Sequence, residues 1–169
     1  MYVSKIKLHN FRRFRDLEIV FNKRRNILVG DNESGKSSIL QAIDITAKGS
    51  RHRLEDIGLQ NIINITAISD FLSGDRNNRT LPIMFVELYL SDIISEELEG
   101  KNNSDGIVTC GLRLTAEPDI KLSEQIHAVI SSDNTAFPFE FYSITFMTFA
   151  NVPYNGFSRK LKTIFLDTS

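Results

Sequence analysis

The fold of this chain is decided by Gly30-Asp31-Asn32-Glu33-Ser34-Gly35-Lys36-Ser37, which has the pattern GxxxxGKS. A short apolar run, residues 27–29, leads into this stretch. Beyond it, apolar residues recur at helical spacing, at Ile39, Leu40, Ile43 and Ala47. This order predicts a strand, a glycine-containing loop and a helix that ends near Gly49.

A strand, a glycine loop and a helix in succession predict a phosphate site. The first backbone N–H groups of a helix have no intrahelical partner and the helix dipole is positive there, so both favour an anion. Gly30 and Gly35 allow close approaches that a Cβ would block, and Lys36 can reach the β- and γ-phosphates. The Ser37 hydroxyl can ligate Mg²⁺. The sequence therefore predicts ATP or ADP with Mg²⁺, bound through residues 32–37.

The composition is typical of one soluble globular domain. Of 169 residues, 41% are hydrophobic and 24% are charged, which is enough for a sizeable core. An apolar stretch of about 18 residues and a charged-then-apolar leader are both lacking, so we expect a cytoplasmic protein that does not enter a membrane. The single cysteine, Cys110, alternates with apolar residues and is expected to be a buried thiol rather than a reactive one.

Charge is unevenly distributed along the chain. Residues 1–53 hold 12 Lys+Arg and 5 Asp+Glu, whereas residues 54–169 hold 8 and 16. A basic N-terminal third suits a polyanion, first the triphosphate and then a nucleic-acid backbone. Because the remainder is acidic, we expect DNA binding by this chain to be weak, independent of sequence and lost steeply with salt.

Alternation of apolar and polar residues predicts two strands before the loop, at residues 2–8 and 17–21. Such a preceding pair favours an ABC-type ATPase head over a P-loop kinase, which begins almost directly with the loop strand. After the helix, residues 50–78 are predicted to be loop with one short helix.

The second half of the chain predicts an antiparallel sheet. Four runs are rich in β-branched and aromatic residues, at residues 81–90, 106–115, 121–130 and 137–149. A helical segment is predicted at residues 91–99. Phe137, Phe139 and Phe141 alternate, which favours a core face over a base-stacking platform. A short helix at residues 154–161 and a buried strand at residues 163–166 are predicted to follow.

Three segments together resemble one family. They are residues 7–14 (KLHNFRRF), 27–38 (ILVGDNESGKSS) and 39–43 (ILQAI). They are similar to the N-terminal lobe of the ABC-type heads in the RecF, SMC and OLD groups, and most similar to the OLD-family ATP-dependent endonucleases. The resemblance implies an α/β fold with α+β character: a P-loop NTPase head lobe with a mixed sheet, the P-loop helix and an antiparallel β arm.

The resemblance also implies site residues. In the family the Asn-Phe-Arg segment lies beside the nucleotide, so Arg12 is implied as a phosphate or base neighbour. Asn32 and Ser34 match loop positions that cap the phosphates. For Arg13 and Arg15, a solvated turn is the alternative. The implied nucleotide-binding set is Arg12, Gly30, Asn32, Glu33, Ser34, Gly35, Lys36, Ser37 and Ser38, with Ser37 also reaching Mg²⁺.

Other parts of an ABC-type head are not recognisable. Leu72-Ser73-Gly74-Asp75 imitates the start of a signature motif but lacks its second glycine. Residues 82–87 imitate a Walker B strand with Val86 in place of the Mg-linked Asp, and residues 164–167 imitate another, followed by Thr168 instead of Glu. We therefore expect no catalytic residue in this chain and predict an incomplete head, completed by the rest of the polypeptide or a second head.

The predicted organisation is one lobe, residues 1–169, in four parts. Strands, P-loop and helix occupy 1–48, a loop region 49–80, the β arm 81–150, and a helix and core strand 151–169. The leading interpretation is the ATP-binding lobe of an OLD-like ATP-dependent endonuclease, whose separate Toprim-type domain cuts DNA in DNA processing or phage defence. The alternatives are a RecF/SMC-like repair or chromosome ATPase without nuclease, and a non-enzymatic nucleotide-binding interaction module.

Overall fold

Six strands and four α-helices make up the described part of the chain. The computed structural model describes residues 1–31, 34–132, 137–156 and 161. The strands are β1 (Tyr2–Phe11), β2 (Phe14–Val20), β3 (Met84–Ser91), β4 (Glu99–Gly100), β5 (Thr109–Pro118) and β6 (Tyr142–Thr148). The α-helices are α1 (Lys36–Lys48), α2 (Arg51–Ile57), α3 (Ile65–Ser73) and α4 (Ser123–Ser131), with 3-10 turns at Leu59–Asn61, Ile120–Leu122 and Phe139–Phe141. The α/β fold class is confirmed.

The strands form one sheet in the order β2-β1-β3-β5-β4, and β6 also pairs with β5. All of these pairings are antiparallel, so the described strands do not include the parallel part of a mixed sheet. Alternate side chains point to opposite faces, and those of the inner face form the core. The buried residues of its three central strands include Ile6, Leu8, Val86, Leu88, Leu112 and Leu114.

Helix α1 covers the inner face, where it contacts β3 and β5. Its residues Ile39, Ala42 and Ile45 recur every three positions and are buried. Full burial of an Ile or Leu side chain contributes roughly 1.5–3 kcal/mol, so this stripe fixes the helix on the sheet. The helix ends at Gly49 (φ 60°), whose N–H donates to the Ile45 carbonyl at 3.0 Å. The predicted helix and its end are confirmed.

The predicted strand at residues 27–29 is wrong. Residues 21–31 have no regular structure, and the side chains of Ile27 and Val29 are 75% and 89% exposed. The described strands offer this segment no pairing, since the sheet order ends at β2 and none of its ladders includes residues 27–29. A strand of three residues has no stability without a ladder partner.

Three further predictions of local structure are wrong. Residues 121–130 lie mostly in α4, where Ile126 and Ile130 are one helical turn apart and both buried. Residues 91–99 are not helical but form an irregular connection from β3 to β4. Residues 50–78 contain two α-helices, α2 and α3, because Ser50 and Asn64 each accept a hydrogen bond from the first turn of a helix.

The two N-terminal strands and the strands predicted at 81–90 and 106–115 are confirmed as β1, β2, β3 and β5, and Cys110 is buried. The run at 137–149 becomes a strand only from Tyr142. Before it, Phe137 is buried with its ring centroid 5.7 Å from Phe71 and 5.5 Å from Tyr142, in the core. Residues 154–156 are not helical, while residues 157–160 and the predicted strand at 163–166 lie outside the described residues.

The outer face of the sheet carries a polar cluster that fastens the loop after β4. Glu87 is fully buried there; it accepts from the N–H and the hydroxyl of Ser104, both at 2.7 Å, and pairs with Arg113 at 3.1 Å. Asp105 accepts from Lys5 at 2.5 Å and from Lys7 at 2.6 Å. These two hydrogen bonds hold the pKa of Asp105 well below its usual range.

The β1–β2 turn lies directly against the start of α1. Gly35 is the N-cap of α1 with φ 89°, in the left-handed region. A Cβ on Gly35 would lie 2.5 Å from Cζ of Phe14 and 2.8 Å from Cδ of Arg13. The turn and the helix can touch because residue 35 has no side chain.

Gly35→Ala should lower the free energy of unfolding by about 2–3 kcal/mol, because it adds a steric clash to an unfavourable φ. Gly106→Ala is the matched control: its φ is 66°, but no atom lies within 4 Å of the new Cβ. Gly106→Ala has only the cost of an alanine at positive φ, so its free energy of unfolding should fall by about 1 kcal/mol. Urea unfolding measures both; equal losses would contradict the contact between turn and helix.

Asp105→Asn should lower stability at pH 7 by about 1 kcal/mol, since two partly exposed charged hydrogen bonds are weakened. The folded-state pKa of Asp105 is depressed, so its contribution is present above the unfolded-state pKa of about 3.9 and is lost as pH falls below it. Urea unfolding at pH 7 and pH 3 should show the deficit shrinking at pH 3. Asp92→Asn, which removes a solvent-screened pair with Lys23, should cost less at pH 7; a pH-independent deficit in Asp105→Asn would refute the electrostatic cause.

Candidate nucleotide site

Lys36 closes the glycine loop on itself. Its Nζ donates to the Gly30 carbonyl, to the Asp31 carbonyl at 2.7 Å and to the Ser34 hydroxyl at 3.1 Å. The Ser34 N–H donates to the Asp31 carbonyl at 3.0 Å and tightens the same loop. An ammonium among oxygen acceptors has the surroundings that phosphate oxygens also provide, so Lys36 fits a phosphate.

The β1–β2 turn is held in place by the segment before α3. The Arg12 N–H donates to the Ile62 carbonyl at 2.5 Å, and Asn64 Nδ2 donates to the Arg12 carbonyl at 2.6 Å. The Asn64 N–H donates to the Asn10 carbonyl at 2.9 Å, while its side chain caps α3 through the Ala67 N–H. Asn10 and Arg12 have φ values of 49° and 50°, an unfavourable region that persists only where neighbours enforce it.

A cavity of about 180 Å³ lies between this turn, α1 and α2. Arg12 lines it from the turn, and Ser37 and Gln41 line it from α1, where they are one helical turn apart. Arg12 Nε and Gln41 Oε1 are buried and have no hydrogen-bond partner in the described part of the chain. The structure thus brings Arg12 to the same cavity as Ser37, the residue predicted to reach Mg²⁺.

Asp44 ties α2 to this side of the cavity. Its carboxylate is buried and forms ion pairs with Lys48 at 2.5 Å and with Arg53 at 3.0 Å. A buried carboxylate needs such partners, because removing it from water is costly. Since Arg53 belongs to α2, the pair fixes that helix beside α1 and sets Arg53 at the cavity.

The predicted loop residues lie together. Gly30, Ser34 and Gly35 are in the loop beside Lys36, and Ser37 and Ser38 are in the first turn of α1. Asn32 and Glu33 lie outside the described residues.

The three arginines of the turn separate into different surroundings. Arg12 lines the cavity and Arg13 lies against Gly35. Arg15 pairs instead with Asp70 of α3 at 2.8 Å, with both side chains about half exposed or more. Of the two predictions for Arg15, the solvated turn therefore agrees with the structure.

Sequence reasoning missed three cavity residues, Gln41, Asp44 and Arg53. Spacing on one helix could have shown the first two, because Ser37, Gln41 and Asp44 are four and three residues apart. Arg53 carries no such signal, since its position depends on the turn between α1 and α2. A larger cavity of about 630 Å³ lies at that end of α1, among Gly49, Tyr154 and β6, and includes no residue of the GxxxxGKS loop.

Two of the imitations of ABC motifs fall within the described residues, where they belong to other parts of the fold. Glu87 belongs to the outer-face cluster, whereas α1 packs on the inner face. Gly74, within the signature-like residues 72–75, is the C-cap of α3. Residues 164–167 lie outside the described part of the chain. Within residues 1–31, 34–132, 137–156 and 161, no three His, Cys, Asp or Glu side chains are grouped to hold a metal ion.

The described helices include none with the length and apolar character required to cross a bilayer.

Part of the chain is similar to the DNA replication and repair protein RecF from several bacteria. The RecF of Acetivibrio thermocellus is 43% identical over 63 residues, 37% of this chain and 17% of the relative. The RecF of Clostridium acetobutylicum is 45% identical over 53 residues, which are 31% of this chain and 15% of the relative. The RecF of Oenococcus oeni is 32% identical over 75 residues, which are 44% of this chain and 20% of the relative. The matched part is therefore at most about a fifth of the length of these relatives.

A family model extends much further along the chain. It is described as an AAA ATPase domain and matches residues 1–151, which include the GxxxxGKS loop, α1 and the whole described sheet. A P-loop that opens a helix, packed on a β-sheet, agrees with that match. The chain belongs to the AAA ATPase domain family.

Proposed function

We propose that this chain is the nucleotide-binding first lobe of an ABC-type ATPase head and binds Mg-ATP or Mg-ADP. The observation that carries this proposal is the placement of Arg12 on the same cavity as Ser37, one residue after Lys36. The β1–β2 turn thereby offers an anion the guanidinium of Arg12, and the start of α1 offers the ammonium of Lys36 and the hydroxyl of Ser37. Asn32, Glu33 and Ser38 belong to the proposed site by their positions in the loop and the first turn.

The residues present fit a magnesium nucleotide. Phosphate oxygens can take the place of the carbonyl and hydroxyl oxygens that Lys36 now contacts. Arg12 Nε is a buried donor without a partner among the described residues, and a nucleotide oxygen would supply one. The exposed Ser37 offers its hydroxyl to the metal ion. Bound Mg²⁺ supplies charge neutralisation at the β- and γ-phosphates.

We infer that the lobe works within a longer polypeptide, in the four parts given by residues 1–48, 49–80, 81–150 and 151–169. The small share of the RecF relatives that is matched supports this inference. The Q-loop, signature and Walker B residues would come from the remaining polypeptide or a second head.

For the whole protein we propose an ATPase that acts on DNA. The printed name of the relatives, DNA replication and repair protein, supports a RecF-like repair ATPase. The resemblance of residues 7–14 and 27–43 to OLD proteins supports the second candidate, an ATP-dependent endonuclease in DNA processing or phage defence. The sequence of the parent gene separates them: a Toprim-type acidic cluster beyond Ser169 identifies the nuclease, and a coiled-coil arm identifies an SMC-like ATPase.

Mg-ATP or Mg-ADP should raise the melting temperature of the chain. At a nucleotide concentration of about 100 times Kd, binding adds roughly 2.7 kcal/mol to the free energy of unfolding. The Lys36→Ala variant should lose most of this added stability. Differential scanning fluorimetry with and without millimolar nucleotide measures the shift. Lys101→Ala, which removes an exposed lysine far from the loop, is the matched control and should retain the full shift. No shift in the unmodified chain, or an equal shift in Lys36→Ala, would refute the site.

The chain alone should hydrolyse ATP negligibly. Asp44, the carboxylate that lines the cavity with Ser37, is already paired with Lys48 and Arg53, so it is not available to hold Mg²⁺ and orient water. A steady-state phosphate-release assay measures this. Glu87→Gln should leave the nucleotide-induced shift in melting temperature unchanged, since Glu87 lies on the outer face. Sustained phosphate release that Lys36→Ala abolishes would show that a working carboxylate is present.

A further inference from the structure

A third cavity, of about 420 Å³, lies between the end of β1, α3 and the loop before β3. It shares no lining residue with the cavity at Arg12 and Ser37. Ala67, Phe71 and Pro82 give it an apolar wall, while Asn10, Asp70 and Asp75 contribute polar groups. It is therefore a separate amphipathic pocket on the same lobe.

Asn10 is the buried polar residue of this pocket. It is 5% exposed, and its Nδ2 donates to the Ile83 carbonyl at 2.8 Å and lies 3.0 Å from His9 Nε2. Since His9 Nδ1 lies 2.6 Å from the Asp16 carboxylate, the hydrogen-bond network assigns the proton of a neutral ring to Nδ1 and makes Nε2 an acceptor. Both neighbours accept, so they fix the amide with Nδ2 towards them.

The orientation of Asn10, which lines the pocket, turns its oxygen away from these two acceptors. Asn10 Oδ1 is buried and has no hydrogen-bond partner among the described residues. A buried acceptor without a donor is unfavourable, and strain is already stored at this residue, whose φ is 49°. The group that completes the pocket must therefore be a hydrogen-bond donor.

Charge and shape narrow the class of donor. The lining contains Arg15, which is paired with Asp70 at 2.8 Å, and the exposed carboxylate of Asp75 at the rim. Besides His9, the lining holds one positive side chain, Arg15, and two carboxylates, Asp70 and Asp75, and this excess of negative charge favours a cation. Ala67 and Phe71 are buried behind it and suit methylene groups. An ammonium on an alkyl chain satisfies all three requirements.

We propose that this pocket binds an alkylammonium group, whose ammonium donates to Asn10 Oδ1 and pairs with Asp75 while its methylene groups lie on Ala67 and Phe71. A lysine side chain of a protein partner and a free diamine share this chemistry. The site is independent of the nucleotide site, so either can fail without the other.

Titration of the ¹⁵N-labelled chain with 1,4-diaminobutane at fixed ionic strength tests the proposal. The Asn10 side-chain amide and the Ala67 backbone amide should shift in ¹H–¹⁵N spectra and saturate together. Asp75→Asn should weaken this binding about two- to fivefold, the usual effect of one exposed ion pair. Glu124→Gln, which removes an exposed carboxylate from α4, is the matched control and should not weaken it.

Two further ligands identify the source of the ammonium. Nα-acetyl-lysine methylamide that binds as well as the diamine identifies a lysine side chain, whereas binding of the diamine alone identifies a free polyamine. Uncharged 1,4-butanediol should not saturate the Asn10 shift. The proposal is overturned if shifts spread over the acidic surface without saturating at Asn10, if Asp75→Asn and Glu124→Gln act equally, or if Asn10 does not respond because an ordered water alone fills the pocket.

Discussion

The lobe depends on the contact between the β1–β2 turn and residue 35. The absence of a side chain at Gly35 lets Phe14 and Arg13 lie on the N-terminus of α1, and any Cβ there would push the two apart. That contact joins the sheet edge to the helix at the end where the loop is formed. It also brings Arg12, the residue before Arg13 in the turn, to the cavity that Ser37 lines. A single missing methyl group therefore links the sheet to the proposed phosphate site.

Asn64 also stabilises this arrangement, because it caps α3 and forms hydrogen bonds to the β1–β2 turn. Its side-chain oxygen starts α3 by accepting from Ala67, and its side-chain and backbone nitrogens donate to Arg12 and Asn10. The turn is thus held by a residue 52 positions away in sequence. Helix α3 contributes little to the nucleotide cavity itself, yet its N-cap determines where Arg12 stands. Rigidity of this kind prepares a site before its ligand arrives and reduces the entropy lost on binding.

The parts that sequence predicted correctly are those whose causes are local. The apolar stripe of α1 and its end at Gly49 are both set by residues within one or two helical turns. The predictions that failed depended on distant partners. Residues 27–29 have strand-forming side chains but no described strand to pair with. In α4, Ile126 and Ile130 are four residues apart, a spacing that fits both a strand and a helix. Their burial in the core favours the helix. Arg53 reaches Asp44 through the turn between α1 and α2, whose geometry no sequence motif predicts.

The alternation of a strand explains why the Walker B imitation fails at Glu87. Val86 and Leu88 point into the core that α1 covers, so the residue between them must point to the opposite face. On that face Glu87 lies opposite Lys7 and Arg113 across the two neighbouring strands, and Ser104 covers it. Shifting the register by one residue would bring a carboxylate towards the loop, but it would also turn every core side chain of β3 outwards. The core therefore forbids β3 from supplying a metal-linked carboxylate at the loop.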